Sequence, residues 1–143
     1  MELSQFYKAL KEIVGEQELM PFVCSGNPLE KDVLIIGFNP TTSYDFWQYF
    51  SVDKGFDAQA EFENYKTVRK ENKKSEISAT RRRIQKLEEI VGVNRILKMN
   101  LYAKATKREK DLAKEDRDLS LFKFLIQTLK PKLIVEQIGR AHV

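Results

Sequence analysis

The chain has 143 residues, a formal net charge of +4 and 42% hydrophobic residues, a composition typical of one soluble globular domain. We find no apolar run of membrane-spanning length and expect no signal peptide, because the first residues lack a basic start and an apolar core. The single cysteine, Cys24, excludes an internal disulfide and a cysteine-ligated iron–sulfur cluster, so we expect a reducing, cytoplasmic location.

The first half of the chain is organised around residues 33–42. Apolar residues at helical spacing predict a helix that ends at Gly15, and residues 33–36 then predict a strand buried on both faces. Gly37 allows a close approach to the backbone and Pro40 ends strand pairing. Asn39 lies between them, at the carboxyl end of the strand. Ligands bind at this end of an open parallel sheet, so we expect Asn39 to lie near the functional site.

Residues 41–43 offer hydroxyl groups that could cap a short helix, on which Phe46 and Trp47 are expected to pack into the core. The remaining pattern predicts helices at 58–74, 75–91 and 119–129, strands at 95–102 and 132–136, and an exposed loop at 104–118. Strands separated by helices imply a parallel sheet covered on both faces. We therefore predict an α/β fold with three layers, α/β/α, around a central parallel sheet.

Residues 66–83 contain eight basic and two acidic side chains, whereas the rest of the chain is slightly acidic. Such a segment beside a site at the sheet edge suggests nucleic acid as the partner. The candidate contacts to a nucleic-acid backbone are Arg81, Arg82, Arg83 and Lys104. The alternative is a solvated helix face with no partner.

The last residues do not continue the alternation of strands and helices. Residues 138–143 can be reverse translated as ATC GGA AGA GCA CAC GTC, which matches the start of a common sequencing-library adapter. We therefore expect one incomplete domain over residues 1–136, with a last strand missing, and a non-native tail over residues 137–143. A genuine tail is the alternative. His142 is the only histidine, so a catalytic triad or a histidine-ligated metal site is unsupported.

Two motifs carry a resemblance to a known family. Gly37-Phe-Asn-Pro40 after a buried strand and Met99-Asn-Leu-Tyr102 at the end of a second strand resemble the uracil-DNA glycosylase superfamily, most closely its Gly-X-Asn-Pro branch. The resemblance covers most of residues 21–136. It implies an α/β/α fold around a four-stranded parallel sheet. It also implies an enzyme that flips uracil or a related deaminated base out of DNA and hydrolyses its N-glycosidic bond, without cofactor or metal.

The resemblance also implies roles for single residues. Asn39 matches the residue that positions the attacking water, and Asn100 matches the one that reads the base edge. An amide offers one acceptor and two donors, so Asn100 can pair with uracil N3–H and O4 and reject cytosine. The predicted base-binding set is completed by Gly37, Phe38, Pro40 and Phe46. A strand-end cap is the alternative for Asn100, and Tyr44 is the alternative stacking ring to Phe46.

The sequence departs from the family pattern in two places. Thr41 stands where the first motif often has Gly or Tyr, and the family's second motif, a loop led by His or Asn, is absent. We therefore expect the 143-residue chain itself to be inactive and the activity to belong to a longer parent. A non-catalytic nucleic-acid-binding module of the same fold stays open. An unrelated α/β domain also stays open, although no dinucleotide, phosphate-loop or Gly-X-Ser-X-Gly motif supports it.

Overall fold

The computed structural model describes residues 1–137. Residues 138–143 of the tail predicted over 137–143, with His142, lie outside the described residues. The helices of the described part are α1 (Leu3–Val14), α2 (Ala58–Glu71), α3 (Ala79–Val91) and α4 (Ser120–Leu129). Its strands are β1 (Val23–Cys24), β2 (Val33–Gly37), β3 (Phe50–Ser51), β4 (Gly55–Phe56), β5 (Ile96–Asn100) and β6 (Leu133–Glu136). None of these helices is long and apolar enough to cross a membrane.

The protein is a mixed α/β structure built on a mostly parallel four-stranded sheet of order β1-β5-β2-β6. Strand β2 pairs in parallel with β5 on one side and β6 on the other, with Val33 opposite both Ile96 and Leu133. Strand β1 pairs antiparallel with the outer side of β5. The predicted parallel pairing is confirmed for β2, β5 and β6, and the sheet as a whole is mostly parallel. The antiparallel edge and the β3–β4 hairpin were not predicted, because two-residue strands are too short to show a periodic pattern.

Helices cover both faces of this sheet. On one face, Leu34 and Ile36 of β2 belong to a core built with α1 and α4. On the other face, Val33 and Ile35 form a smaller core with Ile84 of α3. These four β2 residues are at most 3% exposed, which confirms the prediction of a strand buried on both faces.

The helix boundaries follow local capping chemistry. Helix α1 ends at Gly15, as predicted, where φ is 60°. Helix α3 begins at Ala79 rather than residue 75, because the Ser78 side chain accepts a hydrogen bond from the backbone N–H of Arg81 and caps the helix there. The helix predicted after residues 41–43 is instead a short 3₁₀ turn, Phe46–Gln48, capped by Asp45. The predicted capping role of residues 41–43 was therefore wrong, since Asp45 directly precedes the turn.

The charged segment at 104–118 is largely exposed, as predicted. It forms two short 3₁₀ turns, Glu109–Asp111 and Lys114–Asp116. Leu112 is only 3% exposed and anchors the segment to the protein. The loop therefore has a defined path across the carboxyl end of the sheet, next to the residues singled out above.

Candidate functional site

The parallel pairing of β2 and β5 places Gly37 opposite Asn100, at the carboxyl ends of the two strands. A Cβ atom at position 37 would lie 2.6 Å from Oδ1 of Asn100. Only glycine therefore leaves room for this carboxamide against the neighbouring strand. Among residues 1–137, the Asn100 side chain has no hydrogen-bond partner and is partly exposed, so its amide groups are available to a ligand.

The segments that follow β2 and β5 remain hydrogen-bonded to each other after the strands end. The N–H groups of Leu101, Tyr102 and Thr106 donate to the carbonyl oxygens of Gly37, Phe38 and Pro40, at 2.9, 3.0 and 3.0 Å. These bonds extend the strand contact into the loops. Residues 101–106 are thereby held alongside the Gly37-Phe-Asn-Pro40 motif, and both motifs of the predicted site form one continuous edge.

Asn39 lies between the two loops and joins them. Its Nδ2 atom donates to the carbonyl oxygen of Lys104 at 3.0 Å and to Oγ1 of Thr106 at 2.7 Å. Because a carbonyl oxygen can only accept, this bond fixes which end of the carboxamide is nitrogen. Within residues 1–137, no group donates to Oδ1 of Asn39. That oxygen can therefore accept a hydrogen bond from a water molecule or a ligand.

Two aromatic rings lie beside the asparagines. The rings of Phe38 and Tyr102 meet edge to face, with centroids 5.2 Å apart, and the guanidinium of Arg117 lies 5.5 Å from the Phe38 centroid. Both rings are half-buried. Sequence reasoning assigned no role to Tyr102, although it is part of the second motif. Arg117 and Thr106 carried no sequence pattern that could have indicated them.

Phe46, which the sequence analysis placed both in the core and in the base-binding set, belongs to the core. Its side chain is 2% exposed, and its ring contacts Phe22 and Trp47, each with centroids 5.1 Å apart. A base cannot reach this ring without opening the core, so its stacking role is corrected to a packing role. Tyr44 is half-buried and meets Tyr49 edge to face at 5.3 Å.

The three consecutive arginines of α3 have different environments. Arg81 pairs with the buried carboxylate of Glu61, with Nη2 and Oε1 2.7 Å apart, and its guanidinium lies 4.4 Å from the ring centroid of Tyr65. Arg82 and Arg83 are exposed, and neither pairs with an acidic residue of the described chain. The exposed arginines are therefore the ones available to a polyanion.

Lys104 and a small groove border the asparagine edge. The Lys104 ammonium lies 3.5 Å from Oδ2 of Asp116, in a pair that is open to solvent. A groove of about 240 Å³ beside it is lined in part by Glu18 and Ser43. A larger groove, of about 750 Å³, lies elsewhere, and neither groove is lined by Asn39 or Asn100. Within residues 1–137, no group of three or more His, Cys, Asp or Glu side chains is arranged to hold a metal ion.

The fold and site together define a mixed α/β protein with two amide side chains at the carboxyl ends of adjacent parallel strands. No protein-family model, curated protein or solved structure matches the chain. The functional proposal below therefore rests on the chemistry and placement of these side chains.

Proposed function

We propose that the chain belongs to the uracil-DNA glycosylase superfamily and serves base excision, the hydrolysis of the N-glycosidic bond of uracil or a related deaminated base in DNA. The observation that carries the proposal is the contact between Gly37 and Asn100. It places an unpartnered carboxamide at the strand edge, and Asn39 follows Gly37 by two residues. A three-layer fold of that superfamily is part of the proposal.

Base recognition is assigned to Asn100. In the orientation that suits uracil, Oδ1 accepts from N3–H while Nδ2 donates to O4. Cytosine in the same position would set donor against donor and acceptor against acceptor. With the carboxamide held in this orientation, a paired contact discriminates between bases by about 1–3 kcal/mol. The Phe38 and Tyr102 rings beside it offer a surface on which a flipped base can stack.

Hydrolysis is assigned to a water held by Asn39. Oδ1 accepts a hydrogen bond from the water, whose oxygen attacks C1′ of the sugar while the bond from C1′ to N1 of the base breaks. The uracil leaves with the electron pair and is then protonated. An amide is a poor proton acceptor, so this step depends on the stability of the leaving base and on the electrostatic environment.

Contacts with the phosphate backbone of DNA are assigned to Arg82 and Arg83 and to Lys104 in the loop after β5. The two arginines are exposed near the start of α3, and α3 precedes β5, so the helix begins toward the carboxyl end of the sheet. Positive charge at this end would hold the DNA strand beside the asparagines. Binding should then weaken as salt is added.

The test of base recognition compares two single-stranded oligonucleotides that differ only in one deoxyuridine or deoxycytidine. We expect the deoxyuridine strand to bind about tenfold more tightly, and Asn100→Ala to remove the difference. Asn64→Ala, a change of the same residue type on α2, is the matched control and should retain it. Equal binding of both strands by the unmodified chain would overturn the assignment of Asn100.

A non-catalytic binding module is the second candidate, and one observation favours it. The Nδ2 hydrogen bonds of Asn39 join the two loops, which explains an asparagine here without catalysis. Base release separates the candidates, measured on this chain and on any longer natural form of it. Release that is lost in Asn39→Ala supports the glycosylase, whereas base-selective binding without release by the longer form supports the module.

A further inference from the structure

A groove with a volume of about 750 Å³ lies outside the asparagine pair, since neither Asn39 nor Asn100 lines it. It is bounded by α2, α3, the edge strand β1 and the β3–β4 hairpin. Its apolar lining includes Val23, Phe56 and Phe62. Lys98, from the central part of β5, also lines it. The groove is large enough for a small molecule, and the function proposed above makes no use of it.

Lys98 is the unusual member of this lining. Its neighbours Leu97 and Met99 point into the core on the α1 side of the sheet, so Lys98 faces the α3 side. Among residues 1–137, its ammonium takes part in no hydrogen bond and no ion pair. The nearby carboxylate of Glu61 is already bound to Arg81. The Lys98 head group therefore lies in the groove without a partner from the described residues, and it reaches solvent there, because no side-chain nitrogen or oxygen of these residues is buried without a hydrogen bond.

The surroundings of Lys98 favour its neutral form. Burial lowers the pKa of Lys98 below its ordinary value, and the positive charge of Arg81 lowers it further. Glu88 of α3, Glu61 of α2 and Cys24 of β1 act in the opposite direction, and their effect is smaller than that of burial. A neutral amine has a free electron pair and is a nucleophile, whereas an ammonium ion is not.

The lining of the groove carries no surplus of positive charge. With Lys98 neutral, its cationic residues are Lys54 and Arg81, and its acidic residues are Asp57, Glu88 and Glu89. The remaining surface includes aromatic and aliphatic side chains. A phosphate or carboxylate would find no surplus of positive charge here, so the groove favours an uncharged, partly apolar occupant.

We propose that Lys98 is an imine-forming amine that binds a small uncharged aldehyde in this groove. Nζ attacks the carbonyl carbon and forms a C–N bond, which gives a carbinolamine. The carbinolamine then loses its oxygen, together with both amine hydrogens, as one molecule of water, and a C=N bond remains. No oxidant, reductant or metal is needed. The proposal stands independently of the glycosylase function, since neither Asn39 nor Asn100 lines this groove.

The experiment treats the chain with benzaldehyde and sodium cyanoborohydride, which reduces any imine to a stable benzylamine. Peptide mapping by mass spectrometry then measures the rate at each lysine. Lys86 is exposed on α3 and serves as the internal reference. We expect Lys98 to react about tenfold faster than Lys86 near neutral pH, a preference that corresponds to about 1.4 kcal/mol. Lys98→Arg should remove the fast reaction, and Lys86→Arg should leave it unchanged.

Two results would overturn the proposal. The first is a rate at Lys98 that does not exceed the rate at Lys86. This comparison is made within the unmodified chain, so it holds even if Lys98→Arg fails to fold. The second is equal or faster reaction with 4-carboxybenzaldehyde, which would show that the groove does not select an uncharged aldehyde. Circular dichroism of Lys98→Arg and of Lys98→Met, before labelling, separates loss of the amine from loss of structure.

Discussion

The Oδ1 atom of Asn100 lies 2.6 Å from the position that a Cβ atom would occupy at Gly37 on the neighbouring strand. The two residues are far apart in the sequence and come from different motifs. The Asn100 carboxamide can occupy its position only because Gly37 has no side chain. The position of Asn100 at the strand edge therefore depends on Gly37, and a substitution of Gly37 tests this dependence.

Gly37→Ala should displace the Asn100 carboxamide, because the added methyl group and Oδ1 cannot occupy the same space. Overpacking of this kind costs about 1–3 kcal/mol of stability. We expect the preference for deoxyuridine over deoxycytidine to be lost as well, measured by fluorescence anisotropy. Ile35→Val is the control, since it lowers stability by about 1 kcal/mol without touching the edge. A Gly37→Ala protein with unchanged base preference would contradict the proposed role of the contact.

Asn39→Ala and Thr106→Val separate two roles of Asn39. Both remove the hydrogen bond between Nδ2 and Oγ1, and each should lower the free energy of unfolding by about 1 kcal/mol in urea titrations. Only Asn39→Ala also removes the Oδ1 acceptor. In a longer form that releases base, release should therefore be abolished in Asn39→Ala and largely retained in Thr106→Val. Equal loss in both variants would assign Asn39 to holding the loops rather than to the water.

Removal of the exposed arginines should reduce the salt dependence of DNA binding. Each phosphate contact contributes about one to the slope of log K against log salt, so Arg82→Ala with Arg83→Ala should lower the slope by about two. The charge-matched control is Lys8→Ala with Lys123→Ala, on α1 and α4, which cover the other face of the sheet. Identical slopes for the two double variants would show that Arg82 and Arg83 form a solvated helix face that does not contact DNA.

Glu61 should matter far more than its exposed neighbour Glu63. Glu61 is 4% exposed and pairs with Arg81, so Glu61→Ala leaves a largely buried guanidinium without its carboxylate. Breaking a buried pair in this way costs about 3 kcal/mol. Glu63→Ala removes a solvent-exposed pair with Lys66 and should cost less than about 0.5 kcal/mol. Urea denaturation of both variants measures the difference, and equal costs would show that the Glu61–Arg81 pair does not stabilise the fold.

The thiol of Cys24 should be unreactive in the folded protein. Burial raises the pKa of Cys24 to about 12, and the side chain is 3% exposed. The thiolate is the reactive form, so almost none is present near about pH 8. Labelling with Ellman's reagent should be slow in the native state and complete after unfolding in urea. Rapid labelling without denaturant would show that β1 opens readily at the sheet edge.

Several elements were predictable because the information for them is local. The apolar run in β2 and the helical spacing in α1 and α4 are patterns of neighbouring residues, and the residue after α1, Gly15, marks a helix end by its own backbone freedom. The parallel direction of β2, β5 and β6 also follows from the alternation of strands with helices. In the same way, the position of Asn39 and Asn100 at carboxyl ends follows from where each strand stops.

What the sequence could not show depends on partners that are distant along the chain. Asn39 donates hydrogen bonds to Lys104 and Thr106, which are 65 and 67 residues away in the sequence. These bonds form only because β2 and β5 pair in register. The guanidinium of Arg81 is held in an ion pair with Glu61 on another helix. The choice between the two roles predicted for Phe46, core packing and base stacking, likewise depends on packing among several elements. Periodicity and composition specify which residues prefer to be buried or bonded, and the folded chain selects the partners.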